Sequence, residues 1–427
     1  MKRLLGILLG LALCLGPLAC GRHGSGVGGN TRVLFIGLDG AEWGLIKTLM
    51  AQGRMPNFQK LMERGVHGEL KSLEPLQKSP AIWTTIATGK APREHGIKTF
   101  VEEKDGQPLT QNLRRVKALW NILSATGRKV GVVGWLMSWP AEEVNGFIVT
   151  DYIQYAAGRN AKMAHRTYPE ALYDEIAPLN RDWRQMPWST VNQFLGQPLD
   201  TTAIGGTNPD TLAILRARPM RWMISADASF ADIALKLARP TPPPFLAVYL
   251  RSMDTFGHLY WNFQHPEAWP PGLLDPSMVP FFQSTMERNY AWIDGQLGRI
   301  LTLADDQTTV VLCSDHDFKG GGGGGVQDHR LEGVLVMAGP HIGRGEITGA
   351  TVYDITPTVL ALFGLPRAED MPGKVLWAAF DKSIRAEMFK ETLPTYETGA
   401  GGAAQDGQAS PVDEELKERL RSLGYIK

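Results

Sequence analysis

Short apolar runs alternate with segments of helical period along most of this chain. Residues 32–38 run apolar into Asp39-Gly40, as a buried strand does on reaching a sheet edge. Similar runs at 129–134, 245–250, 308–313 and 334–337 predict further strands. Between them, Trp43, Ile46, Leu49 and Met50 share one helical face. Pro56 opens a helix carrying Phe58, Leu61 and Met62, and another is predicted over 287–303. Asp354 reads as an N-cap, with Pro357 in the first turn and Gly364 as the stop. Strands alternating with helices predict an α/β fold, with a mostly parallel central sheet sandwiched between helices. Ligands in such sheets gather beyond the carboxyl ends of the strands.

The rhythm breaks over 152–230, which is rich in Arg, Trp, Asn and Pro and is expected to be an insertion capping the site. Its Arg181, Arg184 and Arg221 are candidates for meeting a charged substrate, and Trp135, Trp139, Trp183, Trp188 and Trp261 for lining an apolar leaving-group site, although packing and solvated surface are the ordinary fates of such residues. The core unit is expected over 31–375. Residues 376–427 are read as a linker, Gly/Ala/Gln-rich at 391–412, and a C-terminal amphipathic helix ending in Leu423-Gly424-Tyr425. That helix has two candidate berths, the core of this chain or a partner.

The first twenty residues change the picture of where the chain works. Lys2 and Arg3 precede an apolar run from Leu4 to Leu15, then small residues and Cys20. This describes an export signal and is too short for a comfortable membrane span. Ala19-Cys20 before the Gly/Ser linker 21–30 resembles a lipoprotein box, although Pro17 departs from it. The expected location is the periplasm or cell envelope, with contact to the membrane only through a lipid on Cys20. Cleavage removes Lys2 and Arg3 from the 44 basic residues, leaving 42 against 44 acidic ones. That balance argues against a nucleic-acid duplex as partner. Cys313 in its apolar strand is expected to be a small core residue, and a structural disulfide is not expected.

The polar residues that interrupt these apolar runs carry the chemistry. Asp254 and His258 are four apart, which on a helix puts both on one face. Asp315 and His316 follow the 308–313 strand after one serine, and His329 lies beyond a run of six glycines at 320–325. Taken singly, these read as a turn aspartate, a capping residue or a surface histidine. Taken together, carboxylates mixed with imidazoles suit zinc or a similar divalent ion. Lys78-Ser79-Pro80-Ala81 places a hydroxyl at a predicted helix start, whose N–H groups and dipole would favour a phosphate.

Two longer motifs carry a resemblance. They are Gly37-Leu38-Asp39-Gly40-Ala41 and Ala87-Thr88-Gly89-Lys90-Ala91-Pro92-Arg93-Glu94-His95-Gly96-Ile97. With Asp254-Thr255-Phe256-Gly257-His258, Ser314-Asp315-His316 and the stretch from His329 to Val334, the chain resembles the alkaline phosphatase superfamily, on its nucleotide pyrophosphatase/phosphodiesterase side. The likeness spans about 32–365 apart from the insertion. It implies two divalent ions, expected to be Zn2+. Asp39, Asp315 and His316 would hold one, with the nucleophile Ser79 as fourth ligand. Asp254, His258 and His329 would hold the other. The distance from Thr88-Gly89 favours Ser79 over Thr84 or Thr85. His95 would be a structural residue of its turn. Members often carry an asparagine after His-Gly-Ile, where this chain has Lys98-Thr99-Phe100; Thr99 or Lys98 is expected to substitute for it, and Lys78 is a separate candidate for offsetting phosphate charge. Asp317 stands where glycine is common, so the local turn is expected to differ.

The resulting expectation is a two-metal phosphodiesterase working through a phosphoseryl intermediate on Ser79. Its substrate would be a small-molecule or lipid-head-group phosphate ester. A phosphomonoesterase, an envelope phosphoryl transferase and an inactive metal-binding envelope protein are the alternatives. Ser79-Pro80-Ala81-Ile82-Trp83 lacks the Ser/Cys-x-Pro-x-Arg arrangement of sulfatases.

Overall fold

The computed structural model describes residues 30–102, 104–155, 163–202, 209–272, 274–319, 328–382, 391–397 and 407–426. The export signal, Cys20 and the six-glycine run lie outside the described residues. Among those described, no helix is long and apolar enough to cross a membrane.

The main sheet is built from β1 (Arg32–Leu38), β2 (Val66–Lys71), β3 (Val130–Val133), β4 (Gly146–Val149), β5 (Thr167–Tyr168), β6 (Phe245–Leu250) and β7 (Thr308–Cys313). A short hairpin, β8 (Asp317–Lys319) and β9 (Asp328–Arg330), precedes β10 (Glu332–Ala338). Two short edge strands follow, β11 (Gly345–Glu346) and β12 (Ala350–Thr351). The order is β11-β2-β10-β7-β1-β6-β3-β4-β5, with β12 also on β2. The five strands from β7 to β4 run parallel, while β10 is antiparallel to both β7 and β2. The predicted strands 245–250 and 308–313 match to the residue, because strands buried on both faces read as unbroken apolar runs.

Alternation along each strand divides the core into two layers. Val33, Phe35, Phe245, Ala247, Tyr249, Val311 and Cys313 face one side. Leu34, Ile36, Leu38, Leu246, Val248, Leu250, Val310 and Leu312 face the other. Helices Ser79–Thr88, Leu119–Ala125 and Ile355–Leu362 cover the first layer. Helices Trp43–Ala51, Pro56–Glu63, Met220–Ala238, Ser252–Gln264 and Thr285–Leu301 cover the second. Cys313 is a free, buried thiol, as its strand predicts.

The helix Met220–Ala238 crosses residue 230 and packs in the second layer rather than lying over the sheet edge. Buried Asp227 on it accepts hydrogen bonds from the Arg251 and Ser252 N–H groups, at 3.0 and 2.9 Å, and so anchors the start of the helix bearing Asp254. The three candidate arginines of this region are bound within the protein. Arg181 pairs with Asp232 at 2.5 Å, Arg184 with Glu415 at 3.3 Å, and Arg221 donates to the carbonyls of Arg184 and Met186.

The candidate active site

β7, β1 and β6 lie side by side and end at one edge, and each delivers part of the site just beyond its last residue. Asp39 follows β1, and its N–H donates to the Leu250 carbonyl of β6 at 3.0 Å. Asp315 and His316 follow β7. Asp254 and His258 lie on one face of the helix Ser252–Gln264 that follows β6. β2 runs in the same sense as β7, so the chain beyond it reaches the same edge. There Ser79 is the first residue of the helix Ser79–Thr88, as the sequence predicts. The β8–β9 hairpin sets Phe318 opposite His329 and carries that histidine back over the site. Asp317, in the place of the usual glycine, begins β8 and its carbonyl faces His316 Nδ1 at 3.2 Å.

The predicted residues converge as two groups. Asp39, Asp315 and His316 form one; Asp254, His258 and His329 form the other, with their ligand atoms within 4.8 Å of one another in each group. The groups share a border. The His316 and His329 rings stack at 3.7 Å with 13° between their planes. Nε2 of His316 lies 3.5 Å from Asp39 Oδ1, 3.5 Å from Asp315 Oδ2 and 3.6 Å from Asp254 Oδ1. Ser79 is buried, with its Oγ 3.4 Å from the same Nε2. A close approach between β1 and the Asp254 helix makes this possible. Gly40 has φ +69°, and a Cβ on it would stand 2.8 Å from Asp254 Cα.

Whether the groups fit cations can be judged from what they lack. Asp39 Oδ1, Asp254 Oδ1 and Asp315 Oδ2 are buried without a hydrogen-bond partner. These are the oxygens that face the imidazoles, and such atoms are costly to bury unpaired. Burial pushes the Asp39 carboxyl up to about 7, with the Asp254 charge adding to it. Burial and Asp39 push Asp315 well above the usual carboxylate range. Burial also lowers His316 to about 4 and His329 to about 2, so both are neutral near pH 7. A carbonyl can only accept, so the Asp317 carbonyl fixes the His316 proton on Nδ1 and leaves Nε2 as a lone-pair donor. His329 Nε2 and His258 Nε2 face each other at 3.1 Å. Carboxylates stripped of partners, together with converging imidazole lone pairs, form a donor set that a divalent cation satisfies. The residues present fit two such ions.

The sequence reading missed two tyrosines. The Tyr249 hydroxyl donates to Asp39 Oδ2, and the Tyr425 hydroxyl to Asp254 Oδ2. Tyr249 sits within the apolar run of β6 and reads as core; Tyr425 lies far along the chain, and only its Leu-Gly-Tyr setting singles it out. One expectation is corrected. The N–H groups at Pro80-Ala81 are not free for a phosphate. Proline has none, and Ala81 donates to the Lys78 carbonyl at 2.9 Å, so these two residues contribute only the helix dipole. Lys78 is exposed, with its Nζ 5.7 Å from the Tyr425 ring centre. Thr99 is half-buried, next to Phe100, whose ring packs 4.6 Å from that of Tyr425. His95 is buried in its turn, with Nε2 3.1 Å from Thr85 Oγ1 and Nδ1 accepting the Ile97 N–H at 3.1 Å.

A large, mostly parallel sheet between helical layers, with its site at the carboxyl edge, is an alkaline phosphatase-like α/β fold. Residues 33–333 match the family model for type I phosphodiesterase / nucleotide pyrophosphatase, and the chain belongs to that family, whose members are phosphoester hydrolases. No curated protein sequence matches it. Among solved structures, a 2-O GAG sulfatase aligns at 13% identity with a TM-score of 0.51, over 85% of this chain and 76% of its own. A phosphonate monoester hydrolase from Silicibacter pomeroyi aligns at 13% identity and TM-score 0.46, over 81% and 76%. Human ectonucleotide pyrophosphatase/phosphodiesterase 5 aligns at 10% identity and TM-score 0.46, over 84% and 99%. At these identities the likeness is one of fold.

Proposed function

We propose that this protein is a two-metal phosphodiesterase that cleaves small phosphate esters through a phosphoseryl intermediate on Ser79. The observation that carries the reading is the position of the Ser79 hydroxyl, 3.4 Å from the imidazole nitrogen that faces all three unpartnered carboxylates. Asp39, Asp315 and His316 would hold one ion beside Ser79, and Asp254, His258 and His329 the other. Zinc suits this mixture of oxygen and nitrogen donors. When bound, two such ions act as Lewis acids on phosphoryl oxygens and lower the pKa of a hydroxyl or water beside them.

The chain's own residues supply the rest. Ser79 Oγ forms a bond to phosphorus as the bond from phosphorus to the leaving alcohol breaks. Water then attacks phosphorus and returns the serine hydroxyl, so two displacements leave the configuration retained. The start of helix Ser79–Thr88 turns its positive end toward the phosphoryl group. Burial of Ser79 keeps bulk water from competing with its hydroxyl in the first attack. Lys78, exposed beside the site, is a candidate for offsetting the charge of the ester, and Thr99 for contacting it. The signal-like pattern of residues 1–20 supports a place in the periplasm or cell envelope, with Cys20 as the point of lipid attachment.

The test is direct. Bound metal is counted on the purified chain, and bis(4-nitrophenyl) phosphate is assayed beside 4-nitrophenyl phosphate and 4-nitrophenyl sulfate. Two ions per chain and preferred diester turnover are expected, with Ser79→Ala reducing turnover by about a thousandfold or more while keeping its metal. A Ser79→Ala protein as active as the parent would sink the mechanism. Monoester turnover far above diester turnover would overturn the substrate class.

A further inference from the structure

The helix Asp413–Ser422 docks back on the core rather than standing free. Val412, Leu416 and Leu420 join the apolar layer beneath the Ser79 helix. Arg419 is buried, bonded to Glu415 at 2.5 Å, and lies over the rings of Tyr155 and Trp222 at 4.5 and 4.8 Å. The helix ends in a tight reversal. Gly424 has φ +79°, its N–H donates to the Arg421 carbonyl at 3.0 Å, and the Tyr425 N–H donates to the Leu420 carbonyl at 2.9 Å. These two bonds and the left-handed glycine form a Schellman cap. The cap turns the chain so that Tyr425 points into the site.

We infer that Tyr425 is a positioning residue for the Asp254–His258–His329 group, so that the C-terminal arm completes the site. The inference rests on the two-ion reading above. Its hydroxyl donates to Asp254 Oδ2 and leaves Oδ1 unpartnered, facing His258, His329 and His316 at 3.4, 3.5 and 3.6 Å. A side chain that merely plugged the site would take the inward-facing atoms. Tyr425 instead takes the outward oxygen and leaves the inward one available. Tyr249 treats Asp39 in the same way, bonding Oδ2 and leaving Oδ1 unpartnered. The Tyr425 ring also packs 4.5 Å from the His258 ring, inclined at 62°, with Phe100 against it at 4.6 Å. One residue therefore restrains two of the three members of this group. Partners of this kind orient ligands without touching the ion, and losing one typically weakens metal affinity.

The experiment compares the parent with Tyr425→Phe in the full chain. Metal content is measured, and affinity is read by competition with a chromophoric chelator for Zn2+. Tyr425→Phe should weaken one of the two ions by about tenfold to a hundredfold. The other ion should hold within about twofold, since the Tyr425 hydroxyl bonds Asp254 and not Asp39 or Asp315. The metal-free protein should melt within about 2 °C of the parent, because one hydrogen bond is a small part of a chain this long. A purely structural tyrosine would shift the melting point and leave both affinities alone. Two tightly bound ions in the parent with unchanged affinities in Tyr425→Phe would overturn this inference alone. A parent holding fewer than two ions would overturn the two-ion reading and this inference with it. A rise in diester turnover on losing the hydroxyl would identify a plug and also overturn it.

Discussion

The Tyr249 hydroxyl is bonded to Oδ2 of Asp39, tying the next-to-last residue of β6 to the residue that follows β1. Gly37 is the residue opposite Tyr249 in the parallel pair, and a Cβ there would meet the tyrosine ring at 3.0 Å. The missing side chain gives the ring room, and Trp83 packs edge-on against it at 5.0 Å. Tyr249→Phe keeps the packing and removes the donor. We expect a folded protein whose ion at the Asp39 group is held about tenfold to a hundredfold more weakly, read by chelator competition. Combined with Tyr425→Phe, it should weaken both ions.

Gly40 sets the spacing between the two carboxylate–imidazole groups. Its backbone is left-handed, and a Cβ would collide with Asp254 Cα at 2.8 Å and the Phe318 ring at 2.9 Å. Gly40→Ala should cost about 2–5 kcal/mol in urea unfolding, from backbone strain plus overpacking. Metal content should fall as well, because relief of the collision moves Asp39 and Asp254 apart. Full metal content in a destabilised Gly40→Ala protein would show that the spacing is not critical.

His95 should make the fold sensitive to acid. Burial, reinforced by the Arg114 charge, lowers its pKa from 6.5 to about 3 in the folded chain. Protons therefore favour the unfolded state. The contribution of His95 is whole above pH 6.5 and is lost as pH falls toward 3. The metal-free parent should thus lose an advantage over His95→Gln of about 2 kcal/mol between pH 7 and pH 5. Urea midpoints at the two pH values measure it. A constant difference would mean that His95 is not held neutral.

Glu415 keeps the C-terminal helix in place by answering the buried charge of Arg419. Burial lowers the Arg419 pKa to about 10, with Tyr155 and Glu415 acting against that fall. Glu415→Ala leaves the guanidinium buried without its carboxylate, which typically costs about 3–5 kcal/mol. The helix can escape that cost by undocking while the sheet stays intact. Limited proteolysis should then cut within residues 407–424 of Glu415→Ala sooner than in the parent, with the remaining core resistant. Equal cutting rates would show that the apolar face of the helix is enough to hold it.

β1, β6 and β7 were legible to the residue, because strands buried on both faces read as unbroken apolar runs, whereas β3 is one residue shorter at each end than its run and the four-residue β4 was not read as a strand. The direction of β10 was not legible, since an apolar run carries no sign of its polarity. Asp254 and His258 on one helical face followed from their spacing, and Ser79 at a helix start followed from the proline after it. How the remaining residues of the two groups assort came from resemblance, since isolated aspartates and histidines after strands are commonplace. Tyr249 was hidden by its setting, as a tyrosine between Val248 and Leu250 looks like packing. Tyr425 was hidden by distance: nothing local links a residue near position 425 to one at 254. The fate of the Ala81 N–H depends on how tightly the first turn closes, which a helix-start pattern does not specify.

β1 is the first described strand in the chain and lies at the middle of the sheet, and this orders events as the chain emerges to fold. Its two neighbours are β6 and β7, more than two hundred residues downstream. The chain must emerge as far as Leu250 before β1 gains its first neighbour, and as far as Cys313 before it gains its second. Until then an apolar strand waits unpaired, a state that invites aggregation and gives chaperones a substrate. A chain that has emerged only as far as residue 424 could close this sheet and still lack one of the two hydroxyls bonded to its aspartates.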